Sequence, residues 1–185
     1  DAMQKINPSL IYCALKGFLS GPYEQRAALD EVVQMMGGLA YMTGPEGCPL
    51  RAGTSVNDMM GGLFGVIAIQ AALWERQRTG KGTFVRSGLF ETNMFLVAQH
   101  MVQYRQTGVP AVPMPERVSA WAVYDVFETA DGEKIFVGVV SDKQWAQFCN
   151  AFGLDDLLQD AELQTNTQRV ARRDAFMPRL REMFG

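Results

Sequence analysis

The longest apolar run in the sequence, Met59 to Trp74, is interrupted only by Gln70. A helix that spans a membrane needs about 20 apolar residues, and this run is shorter. The helical pattern extends from Asp58 to about Arg78 and ends at Thr79-Gly80-Lys81-Gly82, which is typical of a helix stop. We therefore predict a long helix buried in the core of a globular domain.

Strand and helix patterns alternate along the first 110 residues. A continuous apolar run predicts a strand over 10–15 that is buried on both faces, and residues 83–89 are predicted as a second strand. Helical spacing predicts helices that begin near Leu29, Asp58 and Glu91, the last running to Gln106. This alternation predicts an α/β layered domain.

A proline-rich stretch, Val109 to Pro115, follows these elements and is typical of a linker. Two β-rich segments then flank Ala130-Asp131-Gly132, which predicts a hairpin. We predict three parts: residues 1–109 as a portion of a large α/β domain, 110–118 as a linker, and 119–185 as a portion of a small α+β domain.

Helical segments should complete the second part. Ser141 or Asp142 is placed to cap a helix, because Ser and Asp are favoured at that position. Arg169, Arg172 and Arg173 are expected on a solvated face of the last segment.

The charge balance excludes several classes of partner. The chain has 17 basic and 20 acidic residues and a formal charge of −3, so neither nucleic acid nor an anionic membrane is expected as a partner. Three widely spaced cysteines and one histidine favour neither a disulfide framework nor a metal site, and indicate reduced thiols in a cytoplasmic protein. The chain starts directly on helical residues and stops after a helical segment, so we expect it to be a piece of a longer protein.

Asp58 is the first candidate for chemistry. Its carboxylate should meet the free amides and the positive end of the dipole at the start of the apolar helix, which would keep it ionised as a nucleophile requires. Gly61 and Gly62 leave room for a bulky ligand close to the backbone. Asp is also a common capping residue, and position alone favours that structural role.

An ordered string of segments covers most of the chain and resembles family III CoA-transferases, the superfamily of formyl-CoA transferase, carnitine CoA-transferase and alpha-methylacyl-CoA racemase. The segments are Asn7-Pro8, Lys16-Gly17-Phe18, Gly21-Pro22-Tyr23, Gln34-Met35-Met36-Gly37-Gly38, Val56-Asn57-Asp58, Thr79-Gly80-Lys81-Gly82, Val123-Tyr124-Asp125-Val126-Phe127 and Thr129-Ala130-Asp131-Gly132.

The resemblance implies transfer of coenzyme A from an acyl-CoA to a carboxylic acid. Asp58 matches the aspartate that forms an acyl anhydride and then a CoA thioester, and Arg26, Asp30, Gly61 and Gly62 are candidates for binding CoA or substrate. It also implies a Rossmann-like large domain, a smaller α+β domain and an interlocked homodimer. Coenzyme A thioester is a substrate, and no permanently bound cofactor or metal is expected.

Two alternatives stay open. Racemases of this superfamily carry a histidine just before the position of Asp30, where this chain has Leu29, and its single histidine, His100, falls on a later helix. This departure favours a transferase over an acyl-CoA racemase or epimerase. Formyl-CoA transferase has a tyrosine at the Leu29 position, which makes a formate or oxalate specialist less expected. The second alternative is a non-catalytic, truncated α/β domain kept for oligomerisation.

Overall fold

The computed structural model describes residues 2–185, which divide into two compact units between Arg117 and Val118. The first unit contains α1 (Ala2–Ile6), β1 (Tyr12–Lys16), α2 (Asp30–Met36), α3 (Leu39–Thr43), α4 (Val56–Thr79), β2 (Phe84–Gly88) and α5 (Leu89–Thr107). The alternation of strands and helices predicted for this part of the chain is confirmed, with boundaries shifted by a few residues.

Strands β1 and β2 pair in parallel, in a register that sets Tyr12 opposite Phe84 and Lys16 opposite Gly88. A parallel pair needs a long crossover, and α2, α3 and α4 occupy it. The carboxyl ends of both strands therefore lie at the same edge of the sheet. Gly82 makes this pairing possible, because a β-carbon there would collide with the carbonyl of Leu10.

Helix α4 ends as the sequence predicts. Gly80 adopts a left-handed conformation with φ of 69°, and its amide donates to the carbonyl of Arg76. Such a glycine closes the last turn without steric cost.

The prediction that the apolar run lies buried is wrong for this chain. Helix α4 packs against both strands, α2 and α5 through small residues, and Gly61, Gly65 and Ala72 are buried. A β-carbon at Gly65 would lie 3.1 Å from Leu15 Cδ2, so the glycine permits close approach to the sheet. The large side chains project to the other side, and exposed ones include Met59, Leu63, Val66, Ile67 and Trp74.

By length and composition α4 could also cross a membrane, which for one helix is weak evidence. The expected burial of β1 on both faces is likewise wrong, since Tyr12 and Leu15 are more than half exposed. Among the described residues, β1 has one neighbouring strand, β2, and α4 packs against it.

The proline-rich segment after α5 lies within the first unit. Pro113 is buried, and the amide of Met114 donates to the carbonyl of Met42 at 2.9 Å.

The second unit contains β3 (Val123–Glu128), β4 (Lys134–Val139), α6 (Asp142–Phe152), α7 (Asp155–Gln159), α8 (Asn166–Ala171) and α9 (Arg173–Phe184). Strands β3 and β4 form the predicted antiparallel hairpin, with Gly132 at φ of 81° in its turn. Ser141 caps α6, as predicted, by accepting the amide of Gln144 at 3.2 Å. The core of this unit includes Phe127, Trp145 and Leu180.

The expected solvation of Arg169 is wrong. Its guanidinium is buried, donates to the carbonyl of Leu163 at 2.7 Å, pairs with Asp142 and lies 5.1 Å from the ring centre of Trp145. A guanidinium can be buried when its N–H groups are hydrogen-bonded and its charge is paired.

Candidate functional site

A cavity of about 370 Å³ lies at the carboxyl ends of β1 and β2. Ligands of α/β proteins bind at this edge of a parallel sheet, where loops and helix starts converge. The cavity is lined by Leu15, Lys16, Gly17, Ala28, Asp58, Gly61, Gly62, Ser87 and Leu89. Three of the five residues singled out from the sequence are therefore brought together here: Asp58, Gly61 and Gly62.

Asp58 lies in the first turn of α4 and is exposed at the cavity. Its carboxylate accepts no hydrogen bond from any of residues 2–185, so its lone pairs are free to meet a ligand. The sequence had predicted that this carboxylate would occupy the free amides of its own helix. The structure differs because another carboxylate occupies them.

Asp30, the first residue of α2, caps α4. Its Oδ2 accepts the amide of Asn57 at 2.7 Å and the amide of Asp58 at 3.0 Å. The residue is buried, with 6% of its surface exposed, and the negative charge meets the positive end of α4. Asp30 therefore holds the start of the helix that carries Asp58, and it is absent from the residues that line the cavity.

Of the two glycines, Gly62 leaves the α4 backbone accessible at the cavity, whereas Gly61 is buried. A β-carbon at Gly62 would meet nothing within 4 Å, whereas one at Gly61 would lie 3.1 Å from Leu89 Cδ2. Ser87 Oγ donates to the carbonyl of Gly61 at 2.8 Å and ties β2 to this part of α4. A ligand can thus approach the helix at Gly62, one turn after Asp58.

Lys16 supplies a cation to the cavity wall. Its Nζ lies 2.7 Å from Glu24 Oε1, and Arg86 Nη1 lies 3.9 Å from the same oxygen. The hydrogen bond and charge of Lys16 lower the pKa of Glu24, against a smaller opposing effect of desolvation. Two cations share one carboxylate, which leaves a net positive charge in this group.

Arg26 lies in the loop between β1 and α2. It is exposed, and its guanidinium carbon sits 4.5 Å from the ring centre of Tyr23. It is not among the residues that line the Asp58 cavity.

His100 lines a different cavity of the first unit, of about 380 Å³, together with Tyr41, Tyr104 and apolar residues. Leu29, which precedes Asp30, is 70% exposed. Neither position 100 nor position 29 therefore places an imidazole in the cavity that holds Asp58. Among residues 2–185 there is also no group of three or more His, Cys, Asp or Glu side chains placed to hold a metal ion.

Sequence reasoning missed Lys16 and Ser87 as cavity residues and the capping role of Asp30. The signal for Lys16 and Ser87 was present, since each lies at the carboxyl end of a predicted strand. The capping role of Asp30 has no signal in the local sequence, because Asp30 and the amide of Asn57 that it accepts are 27 positions apart.

The fold and the cavity define an α/β protein with an exposed carboxylate at a helix start beside a parallel sheet. The sequence model described as CoA-transferase family III matches residues 1–185. The chain belongs to this family.

Two curated relatives are similar over nearly the whole chain. Succinate--glutarate CoA-transferase from Agrobacterium fabrum is 35% identical over 94% of this chain and 44% of its own length. Succinyl-CoA:glutarate CoA-transferase from Mus musculus is 33% identical over 100% of this chain and 42% of its own length. The chain therefore spans less than half the length of these relatives.

A solved structure supports the fold. A CAIB/BAIF family protein from Brucella suis matches with a TM-score of 0.80 and 34% identity, over 99% of this chain and 49% of that chain. The mixed α/β arrangement described above is thus that of the family.

Proposed function

We propose that the protein containing this chain transfers coenzyme A from an acyl-CoA to a carboxylic acid through a covalent intermediate on Asp58. The observation that carries the proposal is the exposed Asp58 carboxylate, free of hydrogen bonds, in a cavity at the carboxyl edge of the sheet. Membership of CoA-transferase family III supports it.

The proposed reaction needs no redox partner and no metal. An oxygen of Asp58 attacks the thioester carbonyl of the acyl-CoA, the C–S bond breaks, and CoA leaves as the thiolate from an acyl-aspartyl anhydride. The thiolate then attacks the Asp58 carbonyl, the donor acid leaves as its carboxylate, and an aspartyl-CoA thioester remains. The acceptor carboxylate attacks this thioester and releases the thiolate, which attacks the acceptor's carbonyl in the new anhydride and frees Asp58.

Gly61 and Gly62 lie within α4, where their own amides donate to carbonyls of the preceding turn, so their proposed role is to leave space for the thioester beside the helix. A side chain at either position would stand between the ligand and the helix backbone.

The acceptor class proposed here is a short dicarboxylic acid. The two relatives described above are named for succinate and glutarate, which are dicarboxylates. Lys16 lines the cavity with Asp58 and belongs to the group that carries a net positive charge. One carboxylate of the acceptor would react while the other pairs with the ammonium of Lys16.

The family resemblance supports three further parts of the proposal. The first unit is a portion of a Rossmann-like domain, with β1 and β2 as two strands of its parallel sheet. Residues 119–185 belong to the smaller domain. The whole protein acts as an interlocked homodimer. A cytoplasmic location is proposed separately, because the three free cysteines favour a reducing compartment.

Trapping of the intermediate tests the mechanism. The full-length protein is incubated with succinyl-CoA and hydroxylamine and then analysed by peptide mass spectrometry. We expect a hydroxamate at Asp58, and we expect Asp58→Asn to lose both the adduct and transfer to glutarate. Asp155→Asn is the matched control, because Asp155 is also exposed in the first turn of a helix.

Full transfer by Asp58→Asn, or an adduct at another residue, would overturn the mechanism. Exchange of the substrate α-hydrogen with deuterated water in the absence of any acceptor acid would instead indicate a racemase or epimerase.

Kinetics of the acceptor test the role of Lys16. Lys16→Met should raise the KM for glutarate about tenfold, the scale of one hydrogen bond to a charged group, and change the KM for butyrate much less. Lys81→Met, an exposed lysine after α4, is the control. Equal changes for the two acids would contradict the assignment of Lys16 to the second carboxylate.

A further inference from the structure

Gln34 is a fully buried polar residue of α2, with none of its surface exposed. Its Oε1 accepts the amide of Ala52 at 2.7 Å. Its Nε2 donates to Asp30 Oδ1 and lies 3.5 Å from the carbonyl of Thr54. Both ends of the amide are therefore occupied, which a buried polar group requires to avoid a large desolvation cost.

These bonds connect Gln34 to both segments that define the start of α4. Ala52 and Thr54 belong to the loop that leads into the helix, and Asp30 is its cap. The Asp30 carboxylate is held on both oxygens, Oδ1 by Gln34 and Oδ2 by the amides of Asn57 and Asp58. Rotation of this buried carboxylate would break at least one of these hydrogen bonds and leave its donor without a partner.

We infer that Gln34 is a positioning residue for Asp58, an inference that rests on the proposed nucleophilic role of Asp58. Gln34 orients the Asp30 carboxylate, and Asp30 fixes the amide of Asp58 itself. The effect reaches the nucleophile through two hydrogen bonds and needs no contact between Gln34 and the substrate. Displacement of a reacting group by about 1 Å can cost about a hundredfold in rate, so such support has a measurable consequence.

The neighbouring residue Val33 provides a matched control. It is equally buried on α2, and its side chain makes no hydrogen bond. Val33→Ala should lower the melting temperature through lost packing while leaving the Asp30 bonds intact. Gln34→Met removes both hydrogen-bonding ends at nearly constant volume. Gln34→Glu keeps the shape and the acceptor for Ala52, and in its ionised form has no donor for Asp30.

The experiment measures steady-state kinetics with succinyl-CoA and glutarate, the rate of formation of the trapped Asp58 adduct, and the melting temperature of each full-length variant. For Gln34→Met, and for Gln34→Glu at a pH at which the new carboxyl is ionised, we expect kcat and the rate of adduct formation to fall about 10- to 100-fold. The KM values should change less than about twofold, because uniform binding is untouched. Val33→Ala should keep its kcat within about twofold of the unmodified protein.

A fall in kcat of the Gln34 variants no larger than that of Val33→Ala at a similar melting temperature would overturn the inference. So would a loss expressed mainly in KM. Either result leaves the proposed function standing, provided that the unmodified protein forms the Asp58 adduct. Absence of that adduct from the unmodified protein would instead refute the proposed function, and with it the role of Gln34.

Discussion

Replacement of Asp30 by alanine should loosen the start of α4 more than any other single change in α2. The carboxylate accepts two backbone amides, from Asn57 at 2.7 Å and from Asp58 at 3.0 Å, and it is buried. A hydrogen bond to a charged group contributes about 1.5–3 kcal/mol, and loss of a helix cap costs about 1 kcal/mol. Because these contributions overlap at one carboxylate, we expect a total of about 3 kcal/mol.

Asp30→Asn keeps the shape of the side chain and an oxygen that can accept the amides of Asn57 and Asp58. It loses the negative charge that favours the positive end of α4, and its amide nitrogen faces the Nε2 donor of Gln34 in place of Oδ1. The expected loss is about 2 kcal/mol, the upper range of a partly buried charge at a helix terminus. Asp30→Asn should therefore lie between the unmodified protein and Asp30→Ala, because it keeps only the bonds to the two backbone amides.

Amide hydrogen exchange of the first turn of α4 measures this directly, without assuming that the whole protein unfolds in one step. A local loss of about 3 kcal/mol corresponds to exchange about a hundredfold faster in peptides that contain Asn57 and Asp58. The control is Glu31→Ala, which removes an exposed partner of Arg51 on the same helix. A pair of that kind contributes about 0–1 kcal/mol.

Equal exchange at Asn57 and Asp58 in the Asp30→Ala and Glu31→Ala variants would refute the reasoning. It would mean that packing of α4 against the sheet holds its first turn, and that the Asp30 carboxylate adds nothing.

Two further predictions concern single side chains. Gly62→Ala should stabilise α4 by up to about 1 kcal/mol, because alanine has the higher helix propensity. It should also lower kcat/KM, because the added β-carbon occupies open space at the cavity. An unchanged kcat/KM would exclude close approach of the substrate at this residue. Burial raises the pKa of Cys149 to about 11, so at pH 8 Ellman's reagent should modify the exposed Cys48 and reach Cys149 only after urea unfolds the protein. Rapid reaction of Cys149 in the folded protein would contradict its burial.

The raised pKa of Cys149 also fixes the direction of a pH effect. The pKa of the Cys149 thiol is about 11 in the folded protein and has its ordinary value of 9.0 in the unfolded chain. Folding therefore favours the protonated thiol, and this preference adds its full contribution to stability below pH 9. That contribution is lost as the pH rises from 9 towards 11. Unfolding free energies of the second unit's helices, followed by exchange across this range, should fall accordingly.

Local sequence patterns predicted the elements because local physics determines them. The end of α4 depends on Gly80, whose left-handed conformation closes the helix, and the β3–β4 hairpin depends on the Asp131-Gly132 turn. Ser141 caps α6 through a bond to an amide three residues away. In each case the interacting groups lie within a few residues of one another, so the sequence contains the whole signal.

Burial was predicted less well because it depends on which face a neighbouring element covers. The apolar composition of α4 indicated a buried helix, but its glycines and Ala72 pack against the sheet and its large side chains are exposed. The prediction for Arg169 was wrong in the opposite sense, because an exposed side chain was expected and a buried one is observed. Arg169 is surrounded by Trp145 and Asp142, which a charge pattern at positions 169, 172 and 173 does not reveal.

The candidate site was also predicted only in part, because it depends on residues that are distant in the sequence. The part that was missed bears on the proposed mechanism. A carboxylate that capped its own helix would have to give up those hydrogen bonds as it attacked a thioester. The structure separates helix capping from the proposed attack, since Asp30 accepts the amides of Asn57 and Asp58 while the Asp58 carboxylate stays free at the cavity. The sequence indicated a carboxylate at the start of α4 and could not indicate the second one, because the tertiary fold alone brings Asp30 to that helix. The free lone pairs of Asp58 are therefore a consequence of the crossover between β1 and β2, which places α2 against the first turn of α4.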